Sequence, residues 1–200
     1  LEAELDDVRS DLQTDMIGLI VNAVPANRMA SKEEFESEFG VAVFGVLPQD
    51  RTLMAISVAE LKEALGAEMI GFGNGNNALV EHLMAGAMSL DSGTLYFGRK
   101  SNKAAVIRGD RPDMQLAALE TPTKCLILTG GVRPIDAVMR QAGERNVPIM
   151  VVSDDTQITL SRIERAVQTT RFYHAKKQKR FDEILAEHFD FDAFYQRAGL

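Results

Sequence analysis

Three successive segments of this chain pass from an apolar strand through a tight turn into a helix, and that repetition restricts the fold more than any other feature. Residues 104–107 lead through Gly109-Asp110-Arg111-Pro112 to a helix over 113–119. Residues 124–128 lead through Thr129-Gly130-Gly131 to a helix opened by Pro134. Residues 147–152 lead through Ser153-Asp154-Asp155-Thr156 to a helix over 157–169. Strands alternating with helices form parallel sheets, and continuous apolar strands are those covered on both faces. The expected fold is α/β: a largely parallel open sheet with helices on both faces, plus a C-terminal helical tail. Each turn lies where a strand hands over to a helix. All three therefore belong at one carboxyl edge, where open α/β sheets bind ligands.

The middle turn has the most informative chemistry. Glycines at 130 and 131 let the backbone turn sharply and approach a ligand closely. Proline suits a first helical position, where its missing N–H is not needed. Free N–H groups of such a turn and of the helix start form a partly positive anion site. Arg133 adds a cation beside it. The competing reading is a plain strand-to-helix connection, because Gly-Gly turns are common. Asp110 reads either as a cap for the helix beginning near Pro112 or as a holder for Arg111. Asp154 and Asp155 read as caps that complement a helix dipole.

The remainder of the chain follows the same alternation. Leu1, Leu5, Val8 and Leu12 recur at helical spacing, and residues 16–24 form an apolar strand interrupted by Asn22. Ser31-Lys32-Glu33-Glu34 and Ser57-Val58-Ala59-Glu60 are capping boxes, each opening a helix. A strand is expected over 41–47 and a short one over 68–72, followed by the turn Gly73-Asn74-Gly75-Asn76-Asn77. Residues 79–88 fit a buried strand or a helix, and a strand over 80–86 is preferred. After Thr170 the chain turns basic, then acidic and aromatic, with Phe181, Ile184, Leu185 and His188 at helical spacing.

Composition excludes several classes of function. A net charge of −7 argues against general nucleic-acid binding, which needs a basic surface. No apolar run approaches the roughly 20 residues that span a bilayer, and no basic-then-apolar leader is present, so a cytoplasmic protein is expected. The single cysteine, Cys125, lies mid-strand and reads as a buried inert thiol. Three scattered histidines have no metal-ligand spacing, so no metal site is expected. No Gly-x-Ser-x-Gly elbow is found, and no catalytic residue is assigned. The chain starts without methionine inside a helical pattern and reads as a fragment of something longer.

Asp110-Arg111 and Thr129-Gly130-Gly131, one helix and one strand apart, resemble the signature that names the DRTGG domain. Leu65-Gly66-Ala67-Glu68, Gly86-Ala87-Met88-Ser89 and Val147-Pro148-Ile149-Met150 extend the resemblance over about residues 57–170. Gly18-Leu19-Ile20-Val21-Asn22-Ala23-Val24-Pro25 and Gly45-Val46-Leu47-Pro48-Gln49-Asp50-Arg51 resemble the end of a P-loop ATPase domain of the dethiobiotin-synthetase type. The expected organisation is a remnant of that domain over 1–56, a DRTGG domain over 57–170 and a helical tail over 171–200. This pairing also stands in front of some phosphotransacetylases. In the ATPase family the residue matching Asn22 lies near the adenine; a strand-end hydrogen bond is the other role for it. No Gly-x-x-x-x-Gly-Lys-Ser/Thr loop is present, so these residues are not expected to hold a triphosphate for transfer.

The resemblance implies a non-catalytic regulatory module that pairs as a homodimer and serves a linked or associated metabolic enzyme. An adenine nucleotide or similar phosphorylated effector is the expected ligand, with no obligate cofactor, nucleic acid or membrane. Its binding residues would be Asp110, Arg111, Thr129, Gly130, Gly131 and Arg133, with Asn22 in the first segment. Two alternatives remain: a structural homodimerisation or interaction module assembled through the sheet edge and the aromatic tail, and a piece of an ATP-dependent dethiobiotin-synthetase-like enzyme whose phosphate loop is missing.

Overall fold

The computed structural model describes residues 16–71, 77–86 and 93–200. The helix expected over 1–12, the turn at 73–76 and the segment Ala87-Met88-Ser89 lie outside the described residues. Described residues up to Leu53 group with Tyr173–Leu200 in one compact unit, and Met54–Phe172 forms a second.

In the first unit, β1 (Leu19–Val24) pairs in parallel with β2 (Val43–Pro48), connected through α1 (Lys32–Phe39). Ser31 and Glu34 complete the expected capping box, and Gly40 ends the helix in the left-handed conformation at φ 63°. The second unit contains β3 (Ile56–Ser57), α2 (Val58–Leu65), β4 (Glu68–Ile70), β5 (Leu79–Val80), β6 (His82–Ala85) and α3 (Gly93–Gly98). Then follow β7 (Lys103–Arg108), α4 (Pro112–Leu119), β8 (Thr123–Thr129), α5 (Asp136–Glu144), β9 (Ile149–Val151) and α6 (Thr156–Gln168). The tail supplies α7 (Ala175–His188) and α8 (Phe191–Ala198) to the first unit. There Phe194 meets Phe44 edge-on with ring centroids 5.4 Å apart, and Asp190 donates its N–H to the Phe44 carbonyl at 2.7 Å.

The main sheet runs β4-β9-β8-β7-β6, and its last four strands are mutually parallel. β4 is antiparallel to β9 and shorter than its sequence pattern indicates, ending at Ile70. Alternation across the strands builds two cores. Ala105, Ile107, Leu126, Leu128, Ile149 and Val151 point to one face, where Phe97, Met114, Ala118 and Val138 pack. Ala104, Val106, Cys125, Ile127 and Met150 point to the other, against Val58, Leu61, Leu65 and Ile163. This is why β7, β8 and β9 read as unbroken apolar runs: both faces are covered by helices.

Two expectations about helix starts are corrected. Pro134 does not open α5; the helix begins at Asp136 with Ile135 as its extended N-cap residue. Proline instead holds the residue before it, Arg133, away from helical geometry and keeps 132–135 as an arm. Asp110 does not cap α4, whose N-cap is Arg111 with no side-chain cap. The short helix α3 buries Phe97.

Glu60 fastens the start of α2 to the chain leaving α6. One carboxylate oxygen accepts the Ser57 N–H at 2.9 Å and the Ser57 hydroxyl at 2.7 Å. The other accepts the Arg171 N–H at 2.8 Å and the Thr170 hydroxyl at 3.1 Å. Burial alone would raise this carboxyl, but the donors, led by Arg171, hold it down at about 2 from an ordinary 4.5. The folded pKa lies below the unfolded one, so this stabilisation is complete above pH 4.5 and is lost as pH falls toward 2. Allowing for solvent screening it amounts to about 1–2 kcal/mol. Glu60→Gln should lose about that much at neutral pH in urea denaturation, with the gap to wild type closing across the acid window. A gap that stays constant down to pH 2 would show that the carboxylate charge is irrelevant.

Candidate functional site

Because β7, β8 and β9 are parallel neighbours, their carboxyl ends share one edge. The connections leaving β8 and β9 part to opposite faces: Val138 and Ala142 of α5 join one core, Ile163 of α6 the other. Adjacent strands whose connections diverge in this way leave a crevice at their carboxyl ends. A cleft of about 370 Å³ opens there. The exit of β7 contributes Arg108 and Asp110, and the exit of β8 contributes Thr129, Gly130 and Val132. The start of α6 contributes Asp155 and Thr156.

Each wall is fixed by bonds behind it. Gln115, fully buried on α4, donates its Nε2 to the carbonyls of Arg108 at 3.0 Å and Gly109 at 3.1 Å. Its Oε1 has no partner among the described residues. Arg108 grips Asp110 with both Nε, at 3.0 Å, and Nη2. Thr129 is 2% exposed, and its hydroxyl lies 2.8 Å from that of Thr156, with either able to donate. Asp155 caps α6 by accepting the Ile158 N–H at 2.8 Å.

The amides of the Gly-Gly turn itself are engaged within the protein. Gly130 donates its N–H to the Asp154 carbonyl at 2.9 Å, and Gly131 donates to Val152 at 2.8 Å. Both glycines are in the left-handed region, at φ 83° and 69°, because this curl carries the exit of β8 across to the exit of β9. Of the residues named from sequence, Asp110, Thr129 and Gly130 meet in the cleft. Arg111 turns along its own helix and pairs with Asp113 at 2.8 Å, while Arg133 pairs with Glu68. Gly131 supports the turn without lining the cleft, and Asn22 stands exposed on β1 in the first unit. Cys125 is fully buried, and burial pushes its thiol up to about 12, so it is not a nucleophile at neutral pH.

The sequence reading gives Asp155 as a helix cap, which it is, and Thr156 as a turn residue, and does not single out Arg108 or Val132. The available signal for Arg108 was a cation closing an apolar strand directly before Gly109-Asp110. Among the described residues no group of three or more His, Cys, Asp or Glu is placed to hold a metal ion. No described helix is long and apolar enough to cross a membrane. In the first unit a second cleft of about 350 Å³ lies beside Phe44 and Phe189, with the Lys32–Asp190 ion pair, 2.8 Å long, among its lining residues.

Comparison with known proteins places these observations. A phosphate acetyltransferase of Synechocystis sp. is 24% identical over 161 residues, covering 74% of this chain and 23% of that protein. The chain thus spans about a quarter of the length of that relative. A crystal structure of the CBS and DRTGG domains of the regulatory region of Clostridium perfringens pyrophosphatase, complexed with its activator diadenosine tetraphosphate, aligns with a TM-score of 0.51. That alignment has 16% identity and covers 78% of this chain and 76% of that one, a likeness of fold. The DRTGG domain model matches residues 60–166, both halves of the signature included, and the chain belongs to the DRTGG domain family.

Proposed function

We propose that this chain is a non-catalytic regulatory module whose strand-end cleft takes an adenine nucleotide or similar phosphorylated effector and reports its presence to an associated metabolic enzyme. The observation that supports this most directly is convergence: Asp110 from one half of the signature and Thr129 with Gly130 from the other line one cleft of ligand size. The similar pyrophosphatase region is regulatory and was crystallised with an adenine dinucleotide, and the phosphate acetyltransferase relative is an enzyme. In this reading residues 1–56 are the end of a dethiobiotin-synthetase-like domain, residues 57–170 the DRTGG domain and 171–200 a helical tail. The whole acts as a cytoplasmic homodimer.

Calorimetric titration with ATP and AMP tests the reading, with the double variant Thr129→Val/Thr156→Val as the control. Replacing both partners of a part-buried hydroxyl pair by apolar groups of like shape leaves stability nearly unchanged. It also strips the hydrogen-bonding floor from the cleft. Saturable binding that weakens about tenfold or more in the double variant is expected. Absence of heat with every nucleotide would defeat it. A second reading, assembly alone, is favoured by Phe191 and Tyr195 on α8, which are 42% and 47% exposed. It predicts no nucleotide binding and a dimer that falls to monomer when both are changed to serine.

A further inference from the structure

We infer that the cleft recognises the nucleoside end of its ligand, with Asp110 accepting a ribose hydroxyl and the phosphates left toward solvent. The inference rests on the reading of this cleft as a nucleotide site and names which part of the nucleotide it reads. Three features direct it. First, the lining is unsuited to phosphate: it holds one cation, Arg108, against two carboxylates, Asp110 and Asp155. That cation is already engaged through two nitrogens with Asp110, and the N–H groups of Gly130 and Gly131 are donated to Asp154 and Val152. The cation is thus shared with a carboxylate, and the two Gly-Gly amides are not on offer to a phosphate.

Second, the same pairing makes Asp110 a good acceptor. An ionised carboxylate has about four lone-pair directions, and Arg108 uses one on each oxygen. The remaining two point apart on opposite sides of the carboxylate, so one of them can accept a ribose hydroxyl, the kind of contact an acidic residue makes in dinucleotide sites. The Asp110 side chain is 49% exposed, so a ligand can reach it, and Arg108 orients it. Gln115, through the carbonyls of Arg108 and Gly109, fixes the strand end from which both project. Third, the rest of the lining complements a nucleoside. Of the two hydroxyl protons of Thr129 and Thr156, one bonds the pair together and the other remains to meet a ring nitrogen or ring oxygen. Val132, 45% exposed, gives an apolar wall for a base. A cleft of about 370 Å³ is at the small end for ligand sites and matches one nucleoside.

The test is calorimetry on the intact chain with adenosine, 2′,3′-dideoxyadenosine, ATP and inorganic pyrophosphate, each against wild type and Asp110→Asn. Adenosine is expected to bind within about threefold of ATP, and pyrophosphate to displace neither. Removing the diol should cost about tenfold with wild type, the order expected for hydrogen bonds to a charged group. Against Asp110→Asn the two nucleosides should bind alike, an equality that a merely structural role for Asp110 does not produce. Tight ATP and pyrophosphate binding with adenosine silent overturns the inference and leaves the nucleotide reading standing. So does dideoxyadenosine binding wild type as well as adenosine does. If nothing binds, both fall together.

Discussion

Gly109→Ala should unfold the second unit more readily than any substitution in the Gly-Gly turn that names the family. A Cβ at position 109 would sit 2.4 Å from the Val132 carbonyl oxygen and 2.7 Å from the Val132 Cβ. The obstacle is backbone, which cannot swing aside as a flexible side chain does. Gly109 also extends the β7–β8 ladder by donating to the Thr129 carbonyl at 2.9 Å, and its own carbonyl accepts from Gln115. Relief therefore requires the 132–135 arm to move or that ladder to open. Overpacking of this kind costs about 3 kcal/mol or more. For a unit of this size that is a fall of roughly 10–20 °C in melting temperature. Gly130→Ala meets no atom within 4 Å and is opposed only by its φ of 83°, a cost of about 1–2 kcal/mol. Gly143→Ala, in the last turn of α5 with open space around it, should be neutral or stabilising by up to about 1 kcal/mol. Thermal denaturation of the three variants checks the order. Gly130→Ala proving worse than Gly109→Ala would mean that turn strain, and not space, governs this edge.

That order bears on what the sequence could disclose. The sheet was legible because its strands answer to burial: Ala104 to Ile107 and Cys125 to Leu128 are 0% exposed, and covered strands leave no polar face in the pattern. The capping boxes at Ser31 and Ser57 were legible because their bonds are local, three residues apart. What was not legible depends on bonds between segments distant in sequence. The Gly130 and Gly131 amides look available in the sequence, and only the approach of residues 152–154 takes them up. Arg133 looks like a ligand cation until Glu68, 65 residues away in the chain, is placed beside it. Asp110 is the local exception: it looks like a cap because Arg108 looks like the end of a strand, and their pairing, two residues apart at the mouth of the cleft, turns on how β7 leaves the sheet. The location of the site was thus written in the periodicity, and its chemistry was written in the contacts. The proposed shift from phosphate cradle to nucleoside pocket follows from that division.

The same logic applies at the opposite end of β7, where Lys103 should make the protein more stable in alkali. Its side chain has no exposed surface, and Nζ donates to the Thr121 hydroxyl and the Pro122 carbonyl, each at 2.9 Å. No carboxylate is among those partners, and burial lowers the ammonium from an ordinary 10.5 to about 8. The folded pKa is below the unfolded one, and for a base that means the charged form is penalised by folding. Below pH 8 both states hold the proton and the penalty is in full force. Between pH 8 and 10.5 the folded protein has released a proton that the unfolded chain retains, so stability rises with pH. The full window is worth about 2–3 kcal/mol. Lys103→Met keeps similar bulk, abolishes the titration and leaves the Pro122 carbonyl without its donor. At pH 7 the lost hydrogen bonds and the relieved burial penalty oppose each other, and the two proteins should have similar stability. By pH 10 wild type should lead by about 2 kcal/mol in denaturant titrations. A difference that does not change between pH 7 and 10 would place the Lys103 proton transition outside this range. The amine would then be held by stronger acceptors than the two it touches.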